Sequence, residues 1–262
     1  MPVDPHAPFD LSSLYEFCNQ PAVPIISVLC YLLISNKITA YIRDILGLKP
    51  KGIVIQSITT LHSFALAVYS GWTCYHSWRI VYPYYQEHGF YDTFCDADGS
   101  LWRLAGWWIT HFYISKYYEF IDTWIVVLKG RDPIFLQVYH HAGVVILMWA
   151  TVVTQCTSAG IVLLCLNSAI HTVMYTYYTL AAFGYRSPLK NYLTIAQMVQ
   201  FVTGIGSTLF MHFKEGCINQ SQQLTLAAVQ LYAVGLIILF GKFYIDTYTS
   251  KGKKKSSTKK KD

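Results

Sequence analysis

The chain has 262 residues, of which 53% are hydrophobic, 16% aromatic and only 13% charged, with a mean hydropathy of +0.33. Soluble domains carry about 25% charged residues, so this composition excludes an ordinary soluble domain and indicates an all-α polytopic membrane protein. The formal charge of +6 is no nucleic-acid signal, because seven of the twenty basic residues crowd the last twelve positions, KGKKKSSTKKKD.

The N-terminal MPVDPHAPFDLSS has neither the basic region nor the small-residue cleavage site of a secretory signal. The first apolar span is therefore expected to be retained. Crossing a bilayer takes roughly 20 mostly apolar helical residues. Seven stretches qualify in chain order: 20–36, 53–77, 105–128, 134–154, 158–182, 191–212 and 224–247. Polar residues interrupt the third, and the short basic turn KGRDP separates it from the fourth, with Pro133 suited to the first turn that follows. The expected organisation is one seven-helix domain over 1–247 and a Lys-rich cytosolic tail over 248–262.

Basic residues set the orientation. One face carries Lys37, Arg43, Lys49, Lys51, Lys129, Arg131, Arg186, Lys190 and the tail lysines, whereas the other carries Arg79, Arg103 and Lys214. The C-terminus is thus expected in the cytosol. Cys95 and Cys217 then fall in two non-cytosolic loops, where a disulfide is a candidate pairing with Cys18 and Cys156 as competitors. Asn219, in the sequon NQS of the second loop, is a candidate glycosylation site.

Four spans carry polar stripes at helical spacing. KYYEFIDT puts Lys116, Glu119, Asp122 and Thr123 on one face, and QVYHHAG does the same for Gln137, His140 and His141. NSAIHTVMYTYY aligns Asn167, His171, Met174, Tyr175 and Tyr178, and TIAQMVQF sets Thr194, Gln197 and Gln200 at threefold spacing. Charged groups in membrane helices are costly and face a bundle interior or a wet cavity. With the expected topology, at 1.5 Å per residue, the four stripes meet roughly 10–20 Å below the cytosolic surface. Each stripe alone could be packing, with Lys116 paired to Glu119 or Asp122. Their agreement in depth points to a buried site opening to the cytosol.

Two chemistries use histidines in this way. Membrane di-iron oxidases need about eight histidine ligands in several boxes, and an amide is a poor iron ligand. Here His6, His62, His76, His88 and His212 fall outside the predicted zone, and the box reads QxxHH. The other chemistry is acyl transfer, with imidazole as base or nucleophile. A transporter is disfavoured by unbroken motif helices and the lack of an internal repeat.

The four motifs, in this order and at these spacings over residues 20–247, resemble the ELO family of fatty acid elongases. The resemblance implies seven transmembrane helices, six of them around a closed-ended acyl tunnel, in the endoplasmic reticulum membrane. It implies condensation of a long-chain acyl-CoA with malonyl-CoA to a 3-oxoacyl-CoA two carbons longer, with release of CO2 and CoA, and no metal or other cofactor. A ketoacyl reductase, a dehydratase and an enoyl reductase are the implied partners, and a homodimer remains open.

On this reading His140 and His171 take the acyl group, His141 orients a partner or moves protons, and Gln137 and Asn167 donate to an oxyanion. Lys116, Glu119, Asp122, Thr123, Tyr175, Tyr178, Gln197 and Gln200 would line the substrate site. Lys129, Arg131, Arg186 and Lys190 would hold CoA phosphates or simply mark the cytosolic side. Direct condensation, with histidine only as base, is the alternative mechanism. Glutamine at 137, where many members have histidine, resembles the elongases of C18–C20 polyunsaturated chains; saturated or monounsaturated acyl-CoA is the alternative substrate. Lys259 and Lys260, fourth and third from the end, resemble a dilysine retrieval signal.

Overall fold

A computed structural model describes residue 10, residues 12–185 and residues 190–249. Arg186, Lys259 and Lys260 lie outside the described residues. All regular elements among the described residues are helical. They are α1 (Ser12–Asn19), α2 (Ala22–Ile45), α3 (Ile53–Cys95), α4 (Ser100–Tyr118), α5 (Phe120–Leu128), α6 (Phe135–Val153), α7 (Thr157–Ala182), α8 (Lys190–His212) and α9 (Gln220–Thr249).

Six of these, α2, α3, α6, α7, α8 and α9, are long and apolar enough to cross a membrane. The chain is an all-α membrane protein. The predicted third span, 105–128, is divided: α4 and α5 meet at Glu119, whose N–H still bonds back to the Ser115 carbonyl. Neither qualifies alone, because α5 has nine residues and α4, rich in Trp and Tyr and carrying Arg103, His111 and Lys116, is not apolar enough. The first and second predicted spans are also longer than the apolar pattern suggested. α2 continues to Ile45 through a π turn at Tyr31–Ser35. α3 has 43 residues, and its stretch before Gly89 alone, at 1.5 Å per residue, runs roughly 54 Å against a hydrocarbon core of about 30 Å. Its helical geometry breaks at Gly89, with φ 77° and ψ −178°, a conformation suited to glycine.

Contacts define two ends of the bundle. At one end Arg43 Nη1 donates to the Val127 carbonyl at 3.1 Å, and Gln56 Nε2 donates to the Ala182 carbonyl at 3.1 Å. At the other, Thr157 Oγ1 donates to Asp96 at 2.7 Å and Gln222 Nε2 to the Gln155 carbonyl at 3.1 Å. Asp96 also accepts the N–H groups of Leu101 and Trp102, so one buried carboxylate caps α4 and ties it to α7. Between the ends, α4 and α6 pack through Leu101, Ala105, Ile109, Val145 and Met148, all fully buried.

Cys95 and Cys217 form a disulfide that joins the end of α3 to the loop between α8 and α9. It closes a segment of 122 residues, and cross-links of this span restrict the unfolded chain most. Cys18 and Cys156 remain buried free thiols. Cys217→Ser is expected to lower stability by about 2–5 kcal/mol, read as a lower unfolding midpoint in detergent that reductant no longer shifts.

Candidate active site

The turn before α6 is extended at Ile134 (ψ 151°), and the helix then starts so that Gln137, His140 and His141 follow within two turns. α7 contains a π turn, Leu163–Asn167, whose extra residue rotates Asn167 and His171 together relative to the Thr157–Val162 turns before it. These helices, with α3, α5, α8 and α9, line a cavity of about 520 Å³. Its walls include Gln137, His140, His141, Asn167, His171, Glu119, Asp122, Tyr175, Tyr178, Gln197 and Gln200. α2 contributes no lining residue. Lys129 and Lys190 line it at the end of the bundle where Arg43 meets Val127. There burial pushes the Lys129 ammonium down, with the Arg131 charge adding to the effect. Arg131 itself is exposed and lies outside the cavity lining.

Lys116 and Thr123 sit behind the wall. Lys116 is fully buried, its Nζ 2.7 Å from Glu119 Oε1 and 3.3 Å from Asn167 Oδ1, with the Phe112 ring centroid 3.7 Å away. Of the two predicted acids, Glu119 is the one paired with it. An ammonium only donates, so Asn167 spends its carbonyl oxygen on Lys116 and keeps its NH₂ for other partners. Thr123 Oγ1 instead shares a 2.9 Å hydrogen bond with Tyr31 on α2, whose ring stacks on Phe120.

Asp122 is a second hub. Tyr175 Oη donates to its Oδ2 at 2.6 Å, and His62 Nε2 on α3 lies 3.0 Å from its Oδ1. His62 therefore belongs to the polar cluster, contrary to its expected place outside it. A lone histidine in the apolar run of α3 carries no spacing signal, and its partner stands 60 residues away. Tyr232 on α9 was equally invisible: its hydroxyl donates to the His140 carbonyl oxygen at 2.8 Å.

The imidazoles of His140 and His171 are 6.4 Å apart between centroids, and His141 is 5.3 Å from His140. One ring nitrogen from each of His140 and His171 and an oxygen of Glu119 lie within 4.8 Å of one another. Such a trio has the reach to hold a cation. Lys116 opposes it, because its ammonium, 2.7 Å from Glu119 Oε1, already adds positive charge at the same place. Among the described residues, Glu119 Oε2, His141 Nδ1, His171 Nδ1 and Gln200 Oε1 are buried with no hydrogen-bond partner. Each such group costs on the order of 1–3 kcal/mol, and all four residues line the cavity. Beyond His140, a smaller apolar pocket of about 50 Å³ shares His140, Asn167, Gln200 and Phe201 with the first. It extends between α7, α8 and α9 past Gly204 to Thr208, Leu226 and Gln230.

Fold and site together define a polytopic membrane protein with a histidine-rich polar chamber adjoining an apolar pocket. The sequence model of the ELO (GNS1/SUR4) family matches residues 16–256, and the chain belongs to that family. It is 32% identical over 212 residues to Fatty acid elongase sre1 of Dictyostelium discoideum, which covers 80% of this chain and 79% of the relative. It is 34% identical to Fatty acid elongase A of the same organism, over 70% of this chain and 68% of the relative. Putative fatty acid elongase 4 of Caenorhabditis elegans is 36% identical over 66% of this chain, which spans 60% of that relative.

Breaking the buried pair tests the chamber's electrostatics. Lys116→Met, which strands the Glu119 carboxylate, is expected to cost about 3–5 kcal/mol. Lys116→Met with Glu119→Gln should recover much of that loss, read by denaturant unfolding of all four members of the cycle.

Proposed function

We propose that the chain is the condensing enzyme of a fatty acid elongation cycle. It would join a long-chain acyl-CoA to malonyl-CoA and release CO2, CoA and a 3-oxoacyl-CoA two carbons longer. The single observation that carries this reading is the convergence of His140, His171 and Asn167 where a polar chamber meets an apolar pocket. The relatives named fatty acid elongases support it.

The acyl tail would enter the pocket between α7, α8 and α9, which in this structure has room for only its first few carbons. The CoA would extend toward Lys129 and Lys190, the end of the bundle that carries most of the basic residues and that we place in the cytosol. His140 would attack the thioester carbonyl, forming an acyl-imidazole as the C–S bond breaks and CoA leaves. Asn167 has its NH₂ free to donate to the oxyanion, since Lys116 holds its carbonyl oxygen. Malonyl-CoA would then enter and lose CO2, and the resulting enolate would take the acyl group from His140. His171 and His141, each with an unpartnered Nδ1, would accept and return protons. The Lys116 and Glu119 pair would hold Asn167 and His171 in place, and no metal takes part.

Gln137 faces the cavity and cannot titrate, so in this chain it serves by hydrogen bonding. We assign the substrate as a C18–C20 polyunsaturated chain, and the protein to the endoplasmic reticulum, where a ketoacyl reductase, a dehydratase and an enoyl reductase would complete each cycle.

Microsomes from yeast expressing the protein, given labelled malonyl-CoA and acyl-CoAs from C16 saturated to C20 polyunsaturated, test this. Incorporation on polyunsaturated chains that His140→Ala abolishes is expected; incorporation on saturated chains alone would discard the substrate assignment, and none on any chain would sink the reading. Acyl-CoA alone should leave an acylated protein, and an unacylated but active enzyme would favour direct condensation. Treatment with a strong chelator is expected to leave the condensation rate unchanged; loss restored by one added metal would overturn the metal-free chemistry.

A further inference from the structure

We infer that the Tyr232 hydroxyl fixes the tautomer of His140, keeping the ring proton on Nδ1 and presenting a bare Nε2 to the cavity. The inference rests on the acyl-transfer reading for its consequence, and on geometry alone for the tautomer. Tyr232 lies on α9, outside the four motifs. Its hydroxyl is 2.8 Å from the His140 carbonyl oxygen and 3.4 Å from the Nδ1 of the same residue. A phenol has one proton to give. A carbonyl oxygen can only accept, so that proton is committed there. What the phenol turns toward Nδ1 is a lone pair, and that contact is favourable only when Nδ1 carries hydrogen. In a neutral imidazole Nε2 is then unprotonated.

The 3.4 Å contact is longer than an ordinary hydrogen bond, as is common in catalytic sites without substrate. The direction of the assignment comes from the 2.8 Å bond. Among the described residues no side chain bonds Nε2 of His140, and His140 lines both cavities.

Shape holds the phenol in this position. The rings of Tyr139 and Tyr232 stack at 5.0 Å, and each slots over a glycine of the opposite helix. A Cβ on Gly143 would stand 2.3 Å from Tyr232 Cε2, and one on Gly235 would stand 2.6 Å from Tyr139 Oη. α6 and α9 thus interlock reciprocally at the residue before His140. Stacking and the close fit over Gly143 seat the phenol here, which makes Tyr232 a positioning residue for His140.

The consequence concerns which atom reacts. The Nε2 lone pair attacks the thioester carbonyl, the C–S bond breaks, and CoA leaves as thiolate. The acyl-imidazolium keeps its Nδ1–H against the Tyr232 oxygen until that proton is given up and the thiolate is protonated. Without the phenol, the ring would be free to carry its proton on Nε2, where it blocks attack.

The full chain, labelled with nitrogen-15 in its histidines and reconstituted in lipid nanodiscs, gives the test, with His140→Gln used to assign the signal. At neutral pH the wild type should show His140 protonated at Nδ1 and bare at Nε2, and Tyr232→Phe, which keeps the stacked ring, should lose that preference. The same variant should lower kcat on the order of 10- to 100-fold, the worth of one to two strong hydrogen bonds, at nearly constant KM. An Nε2–H tautomer in the wild type overturns the inference by itself, whether or not the variant folds. So does an unchanged spectrum in Tyr232→Phe, or a raised KM at constant kcat. The spectra need no turnover. If the wild type condenses no acyl-CoA while Nδ1–H is present and lost on substitution, the acyl-transfer reading falls and the tautomer assignment stands.

Discussion

The Lys116–Glu119 pair is the constraint around which the site is arranged. Both side chains are almost completely buried, at 0% and 2% exposure, with their charged atoms 2.7 Å apart. A single charge at that depth is untenable, and a pair survives only when its remaining bonding capacity is met. The structure meets it in part: Lys116 reaches Asn167 on α7, and His171 Nδ1 stands 3.8 Å from Glu119 Oε1, whereas Glu119 Oε2 has no hydrogen-bond partner among the described residues. The pair therefore fixes α4 and α5 against α7 and sets the direction of the Asn167 amide. One electrostatic requirement yields both packing and an oriented donor.

The second hub works by the same logic at lower charge. Asp122 receives Tyr175 on one oxygen and faces His62 across the other, joining α5 to α7 and α3. Together the two acids connect the helices that wall one side of the chamber. The opposite side is held by stacked tyrosines over glycines, a contact of shape with little charge in it. A cavity with one electrostatic wall and one steric wall can keep its polar groups rigid while leaving an apolar path between α7, α8 and α9.

Much of this was legible in the sequence because helical spacing is a strong geometric rule. Offsets of three and four gathered Gln137 with His140, Asn167 with His171, and Gln197 with Gln200, and the fold brings all of them to one cavity. Two kinds of feature were not legible. His62 and Tyr232 act through partners 60 and 92 residues distant, and single polar residues in apolar helices have no local pattern to mark them. The break at Glu119 was hidden for the opposite reason. The charges of KYYEFIDT keep helical spacing straight through it, so periodicity reads one span where the chain forms α4 and α5. Thr123 shared the stripe of the acids yet turned to Tyr31, since a hydroxyl on a helix face takes whichever neighbour packs nearest.

That divided segment also bears on how the protein is made. α4 and α5 together run from the disulfide end of the bundle to the end where Arg43 meets Val127. They carry Lys116, Glu119 and Asp122 in their middle, and charged residues at a helix centre disfavour insertion by about 2.5–3.5 kcal/mol apiece. Such a segment has little tendency to enter a bilayer alone. Lys116 and Glu119 offset each other within the segment, but the groups that complete its polar stripe by hydrogen bonding belong to α3 (His62) and α7 (Asn167 and Tyr175), one synthesised before it and one after. Its seating in the bundle is thus tied in part to α7, which has not been made when this segment leaves the ribosome, so the motif that equips the chamber also sets a condition on how the chain is assembled.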